Sequence, residues 1–279
     1  LYWKDKNTKL IHFIGKDNIV FHCIIFPIIL KAHGEYILPE NIPANEFLNL
    51  EGKKFSTSKN WAIWIDEFLK DFPDMQDSLR YTLTVNAPET KDNDFTWKDF
   101  QARNNNELVA IFGNFINRVF VLTHKYYDGF VPDSGDLDTG EKELLKKAYE
   151  MPQLISDALD NYKFRQAINL LIDLSRLGNK YLADEEPWKL YKSGNVEKVK
   201  KIMFVALQLC GLLSVLSEPF LPNASKKIRQ ILNIKEKKWT ELTISNPILK
   251  EKKQINKPAL IFRKIEDEEI KNQISKLNG

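Results

Sequence analysis

The sequence predicts a mixed fold, in which a short α/β segment precedes a domain that is nearly all helix. The first part is indicated by Leu10–Ile14, an apolar run typical of a buried parallel strand, which leads through the turn Gly15–Asn18 into the apolar stretch Ile19–Lys31. The second part is indicated by Trp97–Tyr127, where apolar residues recur at helical spacing. That stripe consists of Leu108, Phe112, Phe115, Val119 and Leu122.

Composition places the chain among globular proteins and limits its partners. Its 279 residues can form about two domains, and a hydrophobic content of 43% argues against disorder. The net charge of +3 is too small to mark a nucleic-acid-binding protein by total charge alone. No uninterrupted apolar run reaches the roughly twenty residues of a membrane span, so no membrane partner is expected. Because the first residue is Leu1 and not methionine, we expect a piece of a longer protein.

The cysteines carry little chemistry. Cys23 and Cys210 both lie in apolar runs and lack metal-ligand spacing. Such residues suit a reducing compartment, so the chain is expected to be cytoplasmic and to hold no zinc of its own.

The turn Gly15–Asn18 is the first candidate site. In open α/β sheets, ligands lie beyond the carboxyl ends of the strands, where this turn falls. Asp17 either caps the following helix or accepts hydrogen bonds from a ribose. His22, on that helix, either lines a pocket or is satisfied in the core, and Pro27 is expected to kink the helix.

Further elements follow in chain order. The pattern predicts a short strand around Phe47–Leu50, helices over Ile65–Asp71 and Asp77–Asn86, and a linker over Pro88–Asn93. The later helices are expected over Glu141–Leu159, Arg165–Leu177, Val196–Leu216 and Ala224–Ile231. Their expected separators are Gly140, Gly178, Gly194 and Pro222.

A lysine-rich stretch, Glu51–Asn60, is the second candidate site. It combines Gly52 with three lysines and three hydroxyl side chains, which disfavour helix, so we expect a mobile loop anchored by Trp61 and Trp64. Lysines in such a loop can fold over a polyphosphate and neutralise charge in a transition state. The alternative is an ordinary solvated basic loop.

Three residues of the helical part suit single-stranded RNA. Asn114 and Arg118 are four residues apart and therefore share a helix face. Trp188 follows Pro187 at a proline-led helix start, where we expect the indole to be exposed. Amide and guanidinium groups read base edges, and an indole stacks on a splayed base. Taken singly, the three could equally be an exposed amide, a salt-bridged arginine and a packed tryptophan.

Four motifs together resemble the methionyl-tRNA synthetases, a family of class I aminoacyl-tRNA synthetases. They are His12–His22, Lys54–Ser58, Gly113–Arg118 and Glu186–Trp188. Lys54–Ser58 is similar to the nucleotide-loop signature written KMSKS for the class. The resemblance covers the carboxyl-terminal portion of that family and nearly all of this chain.

The resemblance implies a fold and an activity. Residues 1–96 would be the second half of an α/β Rossmann-type catalytic domain with the KMSKS-like loop and connecting segment, and residues 97–279 an all-α anticodon-binding bundle. The parent enzyme would be a methionine–tRNA ligase, which forms methionyl-adenylate from methionine and ATP and transfers the methionyl group to tRNA(Met). Nothing in this chain resembles the HIGH-containing amino-terminal half, so the chain alone is expected to be inactive.

The resemblance also implies roles for individual residues. Catalytic roles fall on Lys54, Thr57 and Lys59. ATP would lie against Gly15, Asp17, Leu48, Lys54, Phe55, Ser56, Thr57 and Ser58. Methionine would lie against Asn18, Phe21 and His22, near Ile19. The anticodon would contact Asn114, Arg118 and Trp188.

Two departures from the family's pattern bear on these roles. Thr57 stands where the signature has its second lysine, so either Lys59 or Lys53 is expected to supply that charge. Phe26 stands where many members have tryptophan, which leaves the shape of the methionine pocket open.

The expected partners are those of the parent enzyme. They are tRNA(Met), methionine and ATP with Mg²⁺, with zinc only in the missing half and with homodimerisation through a carboxyl-terminal domain absent here. The competing interpretations are another class I synthetase and a non-catalytic RNA-binding helical module.

Overall fold

A computed structural model describes residues 2–278 of the chain. The chain folds into two compact units, each made of two stretches. The first unit comprises Leu1–Ala62 and Asn86–Thr96, and the second comprises Ile63–Val85 and Trp97–Gly279.

The first unit is built from short strands and one helix. Its elements are β1 Ile14–Gly15, α1 Phe26–His33, β2 Ala44–Asn45, β3 Leu48–Leu50, β4 Lys53–Lys54 and β5 Asn93–Phe95. β1 pairs with β2 in parallel. β3 lies between β4, to which it is antiparallel, and β5, to which it is parallel. The predicted linker Pro88–Asn93 therefore ends in a strand of this sheet.

The first strand is shorter than predicted. Of Leu10–Ile14, only Ile14 belongs to β1, although Ile11 forms an isolated bridge with Asn41. The Ile14 N–H donates to the Pro43 carbonyl at 3.1 Å. Pro43 has no N–H to donate in return, so a continuous ladder cannot form along this run.

The predicted single helix Ile19–Lys31 is also wrong in detail. The chain forms a π-helical turn over Phe21–Ile25 and only then continues as α1. Pro27 lies in the first turn of α1, where a missing N–H is tolerated best. The irregularity therefore precedes the proline instead of being a kink within one helix.

The second unit is a helical bundle. Its helices are α2 Ile65–Asp71, α3 Gln76–Val85, α4 Trp97–Arg103, α5 Asn114–Tyr127, α6 Thr139–Asp160, α7 Phe164–Glu185, α8 Pro187–Lys192, α9 Val196–Leu216, α10 Pro222–Ile231 and α11 Asp267–Asn278. Between α4 and α5 the chain forms a π-helix over Asn104–Gly113. The predicted apolar stripe is confirmed as core, because Leu108, Phe112, Phe115 and Val119 are fully buried.

Helix α9 is the centre of this bundle. Every residue from Ile202 to Leu216 is buried, and α5, α6, α7, α8 and α10 pack around the helix. By length and composition alone, α9 could also cross a membrane, since it has 21 residues and contains an 18-residue window with a mean hydropathy of 1.8. No uninterrupted apolar run of about twenty residues is present even so, because charged residues occupy the first turns of this helix. In the structure, 89% of its apolar window is buried inside the bundle.

Two of the expected helix separators are wrong. Gly140 lies in the first turn of α6, which begins earlier than predicted because Asp138 and Glu141 form a capping box. Gly178 lies inside α7, where a Cβ would be 2.4 Å from the Phe115 ring. Glycine is needed there because α5 and α7 approach closely.

Candidate functional site

The lysine-rich stretch is more ordered than predicted. β3 and β4 form a hairpin in which Leu50 pairs with Lys53, so Glu51 and Gly52 make the turn. Both turn residues have positive φ, 48° and 75°, as the tightest hairpin turns require. The expectation of a loop throughout is corrected at this point, since Gly52 favours a turn that joins two strands.

Trp61 closes the rest of the stretch. The backbone N–H groups of Ser56 and Trp61 donate to each other's carbonyls at 2.9 Å, and Thr57–Lys59 forms a 3₁₀ turn between them. The indole N–H of Trp61 donates to the Leu50 carbonyl at 2.9 Å. Trp61 therefore holds the turn against the hairpin, in agreement with its predicted role as an anchor.

A basic pocket of about 640 Å³ lies inside this arrangement. It is lined by Lys53, Lys54, Phe55, Ser56, Lys59 and Trp61, and no carboxylate is among them. The Lys53 ammonium lies 4.4 Å from the centre of the Trp61 ring. Thr57 and Ser58 do not line the pocket. Three lysines around one cavity form a site complementary to a multiply charged anion.

The predicted turn after the first strand brings Gly15 and Asp17 together. A Cβ on Gly15 would lie 2.8 Å from the Asp17 carboxylate, so a larger residue at position 15 would displace that side chain. Gly15 and not Asp17 is the N-cap of the 3₁₀ turn Lys16–Asn18, and the next cap is Val20. Asp17 therefore does not cap a helix.

Lys16, which the sequence did not single out, fixes this turn. Its ammonium donates to Asp92 at 2.6 Å and to Glu46 at 2.5 Å. The hydrogen bond to Asp92, followed by that to Glu46, raises the pKa of Lys16 above its usual value. Because Asp92 and Glu46 are distant in sequence, no local pattern indicated this contact.

The residues assigned to methionine binding lie on one turn. His22 Nδ1 is 3.2 Å from the Asn18 carbonyl oxygen, and Phe21 is 58% exposed. His22 also meets His12 edge to face, with ring centres 5.7 Å apart. Burial, and then the charge of His22, lower the pKa of His12.

An aromatic cluster surrounds His12. Phe26 lies 5.8 Å from the His12 ring and 5.9 Å from Trp3, which lies 6.2 Å from His12. Phe26, whose ring is smaller than the tryptophan of many family members, therefore packs against Trp3 and His12 in this chain.

In the second unit, Arg118 and Trp188 are in direct contact. The guanidinium carbon of Arg118 lies 5.6 Å from the centre of the Trp188 ring. Asn114, one helical turn before Arg118 on α5, is exposed. Trp188 is partly buried and not exposed as predicted, and the Arg118 guanidinium lies over its ring. Asn114, Arg118 and Trp188 thus contribute an amide, a cation and an aromatic ring to one surface.

The position of Trp188 is set by a sharp joint between α7 and α8. Glu186 ends α7 in the left-handed conformation, with φ 43°, and Pro187 begins α8, as predicted. The preceding Glu185 lies 3.6 Å from the Lys198 ammonium, which also contacts buried Glu141 at 2.7 Å. Through Lys198, which belongs to α9, these ion pairs connect the end of α7 to the start of α6.

The described part of the chain contains no group of three or more His, Cys, Asp or Glu side chains arranged to hold a metal ion. Cys23 is exposed, and Cys210 is buried, with its thiol pKa raised by that burial.

Comparison with known families places both parts of the chain. Residues 1–120 match the class I tRNA synthetases of the methionine type, described as "tRNA synthetases class I (M)". Residues 131–279 match the "Anticodon binding domain of methionyl tRNA ligase". The fold is thus that of a class I tRNA synthetase.

Curated relatives point to the same family. The chain is 60% identical to the methionine–tRNA ligase of Christiangramia forsetii and 58% identical to that of Flavobacterium psychrophilum. Both matches include 100% of this chain but only 41% of the relative. The chain belongs to the methionyl-tRNA ligase family and spans about two fifths of the length of these relatives.

Solved structures confirm the predicted fold class. Mycobacterium tuberculosis methionyl-tRNA synthetase bound by methionyl-adenylate matches with a TM-score of 0.82 at 23% identity, over 91% of this chain and 50% of that one. Its apo form matches with a TM-score of 0.81 at 22% identity, over 92% of this chain and 50% of that one.

Proposed function

We propose that the chain is the carboxyl-terminal part of a methionine–tRNA ligase. The whole enzyme joins methionine to ATP, releases diphosphate to form methionyl-adenylate, and transfers the methionyl group to tRNA(Met). The observation that carries the proposal is the contact of Arg118 with Trp188 beside exposed Asn114, in a chain of the methionyl-tRNA ligase family.

In the proposed activation step, the basic pocket binds the triphosphate. Lys54 and Lys59 neutralise charge that builds on the phosphates as diphosphate leaves, and Ser56, which also lines the pocket, offers its hydroxyl to their oxygens. Thr57 and Ser58, which lie outside the pocket lining, are assigned to ATP by the family resemblance alone. Phe55 belongs to the same ATP-contacting set. The hairpin strengthens these assignments, because it holds lysines from β4 and from the 3₁₀ turn around one cavity.

The remaining substrate contacts are proposed for the turn after β1 and for β3. Gly15 and Asp17 lie against the ribose, since Asp17 does not cap a helix and its carboxylate approaches the Gly15 backbone. Leu48 lies against the adenine. The exposed face formed by Asn18, Phe21 and His22 takes the methionine side chain.

Mg²⁺ would accompany ATP, bound mainly by phosphate oxygens, as is usual for this ion. The lysine lining of the pocket suits the phosphates and not the ion itself. The family resemblance assigns any zinc ion of the enzyme to the amino-terminal half.

An exposed apolar face of the first unit supports the idea that a second half completes the site. Ile24, Ile25, Ile28 and Ile29 are each between 41% and 61% exposed, and Phe21 is 58% exposed. Contiguous apolar surface of this kind normally packs against another chain segment.

The division into a catalytic part, residues 1–96, and an anticodon-binding part, residues 97–279, is proposed from the family resemblance. The compact units differ from this division in one stretch, because Ile63–Val85 folds with the helical bundle. A cytoplasmic location and homodimerisation through a carboxyl-terminal domain are likewise proposed from the resemblance alone.

The Trp188→Ala substitution tests the proposed anticodon contact. Base stacking on an aromatic side chain contributes roughly 1–3 kcal/mol, so the variant should bind tRNA(Met) about 5- to 150-fold more weakly. It should also discriminate less against a tRNA(Met) with an exchanged anticodon. The measurement is the affinity of the full-length protein for both tRNAs.

Two further variants sharpen this test. Trp188→Phe keeps a stacking face and should retain most of the discrimination, whereas Arg118→Ala should lose it through missing base-edge hydrogen bonds. If Trp188→Ala folds normally and leaves the ratio of the two affinities unchanged, the indole is a packing residue and the assignment is wrong.

A further inference from the structure

A groove of about 350 Å³ lies directly beside the proposed anticodon surface. Its walls come from the end of the π-helix, the start of α5 and a segment near the carboxyl terminus. The residues that matter here are Ala110, Asn114, Asn117, Leu260, Phe262 and Lys264. Asn114 belongs both to this groove and to the surface formed with Arg118 and Trp188.

The groove has the mixed lining of a ligand site. Leu260 is 62% exposed and Phe262 is buried, so the groove combines an apolar wall with an aromatic one. Within residues 2–278, the side-chain amides of Asn114 and Asn117 have no hydrogen-bond partner. Lys264 is the one charged lining residue, and no carboxylate lines the groove. Apolar walls, free amides and one cation suit a nucleobase with its phosphate.

The groove is held in shape from both sides. Asn104 on the π-helix donates to the Arg263 carbonyl at 2.9 Å. Asn105 donates to the Ile265 carbonyl and accepts from the Ile265 N–H, both at 2.9 Å. Lys227 of α10 donates to the Leu260 carbonyl. The wall from 260 to 265 is therefore fastened at each end, and the cavity is a built feature of the bundle.

The π-helix contributes to the other wall. Gly113, its last residue, lies at the base of the groove, where a Cβ would be 3.0 Å from the Leu108 carbonyl oxygen. Asn179 of α7 donates to the Ile111 carbonyl at 2.9 Å and so fastens the widened turn to the bundle. π-helical turns of this kind occur frequently at functional sites.

We propose that this groove holds one unpaired nucleotide of the bound tRNA, adjacent to the nucleotide contacted by Asn114. The inference rests on the proposed anticodon function and extends it to a second subsite. Asn114 stands between the two subsites and can contact both nucleotides. Asn117 reads the edge of the second base, Leu260 and Phe262 pack on its face, and Lys264 meets its phosphate.

The volume of the groove limits the size of its occupant. At about 350 Å³, the groove lies near the lower end of the roughly 300–1,000 Å³ typical of ligand pockets. A groove of this size is large enough for one nucleobase, which is the proposed occupant. A folded RNA helix presents no splayed base, so the occupant belongs to a single-stranded loop.

The Ala110→Phe substitution tests the proposal. Ala110 is exposed and lines the groove, so a phenylalanine there fills the groove without disturbing the core. The probes are tRNA(Met) and a series of tRNA(Met) molecules with one abasic nucleotide at each anticodon-loop position. The measured quantity is the affinity of the full-length protein for each tRNA.

In the unsubstituted protein, removal of the base at one anticodon-loop position, different from the position read by Trp188, should weaken tRNA binding about 10-fold. In Ala110→Phe, unmodified tRNA(Met) should already bind about 10-fold more weakly, and the abasic penalty at that position should disappear. Trp188→Ala should abolish the penalty at a different position. Ala102→Phe, an exposed alanine of α4 that does not line the groove, is the matched control and should change neither.

The possible results distinguish a failure of the groove proposal from a failure of the proposed anticodon function. If Trp188→Ala abolishes one penalty while Ala110→Phe leaves every penalty and the affinity intact, the groove is not a nucleotide subsite, although the anticodon function stands. If no abasic position matters and an exchanged anticodon binds equally well, the proposed function fails, and this inference fails with it. Lys264→Gln and Leu260→Ser, both at exposed positions, replace Ala110→Phe if that variant does not fold.

Discussion

Replacing Lys59 by alanine is expected to slow methionyl-adenylate formation about 30- to 1,000-fold while weakening ATP binding much less. Thr57 cannot supply the charge of the second signature lysine, and it does not line the basic pocket. Lys59 lines that pocket, and Lys53 is already engaged with the ring of Trp61. A charge-assisted contact made mainly in the transition state contributes roughly 2–4 kcal/mol. The measurement is single-turnover adenylate formation over a range of ATP concentrations.

Two lysine controls accompany this prediction. Lys31→Ala removes an exposed lysine of α1 that does not line the pocket and should leave the rate unchanged. Lys53→Ala should act mainly through the position of Trp61 and cost less than Lys59→Ala. If Lys53→Ala is crippling and Lys59→Ala is silent, the substitute charge comes from β4 instead.

The chain alone is expected to show no methionine-dependent exchange of diphosphate into ATP. Class I activation needs groups on both sides of the triphosphate, and this chain carries the basic pocket on one side only. Exchange should reappear when the amino-terminal half is supplied as a separate polypeptide. Robust exchange without it would mean that the pocket is organised differently from the proposal.

A control separates inactivity from misfolding in this experiment. The same preparation should bind tRNA(Met), because the proposed anticodon surface lies wholly in the second unit. A preparation that neither exchanges nor binds tRNA would say nothing about the pocket, so binding is measured first.

Local patterns in the sequence predicted much of the helical unit. α2 and α9 begin and end at the predicted residues, since Pro73 breaks the first and Gly194 precedes the second. The helix start at Pro187 and the pairing of Asn114 with Arg118 on one face were also predicted from spacing and turn chemistry.

Features that depend on distant contacts were not predictable. The π-helix keeps an apolar stripe that the usual helical period also fits, so the sequence pattern does not distinguish the two. Gly178 resembles a helix terminator until the Phe115 ring is seen against it. One wall of the groove beside Asn114 is held by the hydrogen bond from Asn104 to the Arg263 carbonyl, and no local pattern connects these two residues.

In the lysine-rich stretch, too, some features were predictable from local patterns and others were not. Its residue types indicated a phosphate site. The hairpin, however, depends on a positive φ at Glu51, and a glutamate does not predict that conformation. The hydrogen bond from Trp61 to Leu50 also joins residues that are eleven positions apart, and the residue pattern did not indicate it.

The central claim is that the helical unit reads the methionine anticodon, and an anticodon transplant tests it most directly. A tRNA specific for another amino acid is given the anticodon of tRNA(Met), and its affinity for the full-length protein is compared with that of its unaltered parent. The account predicts a gain of at least about 10-fold, lost again in Trp188→Ala. Equal binding of the transplanted and parent tRNAs would contradict it.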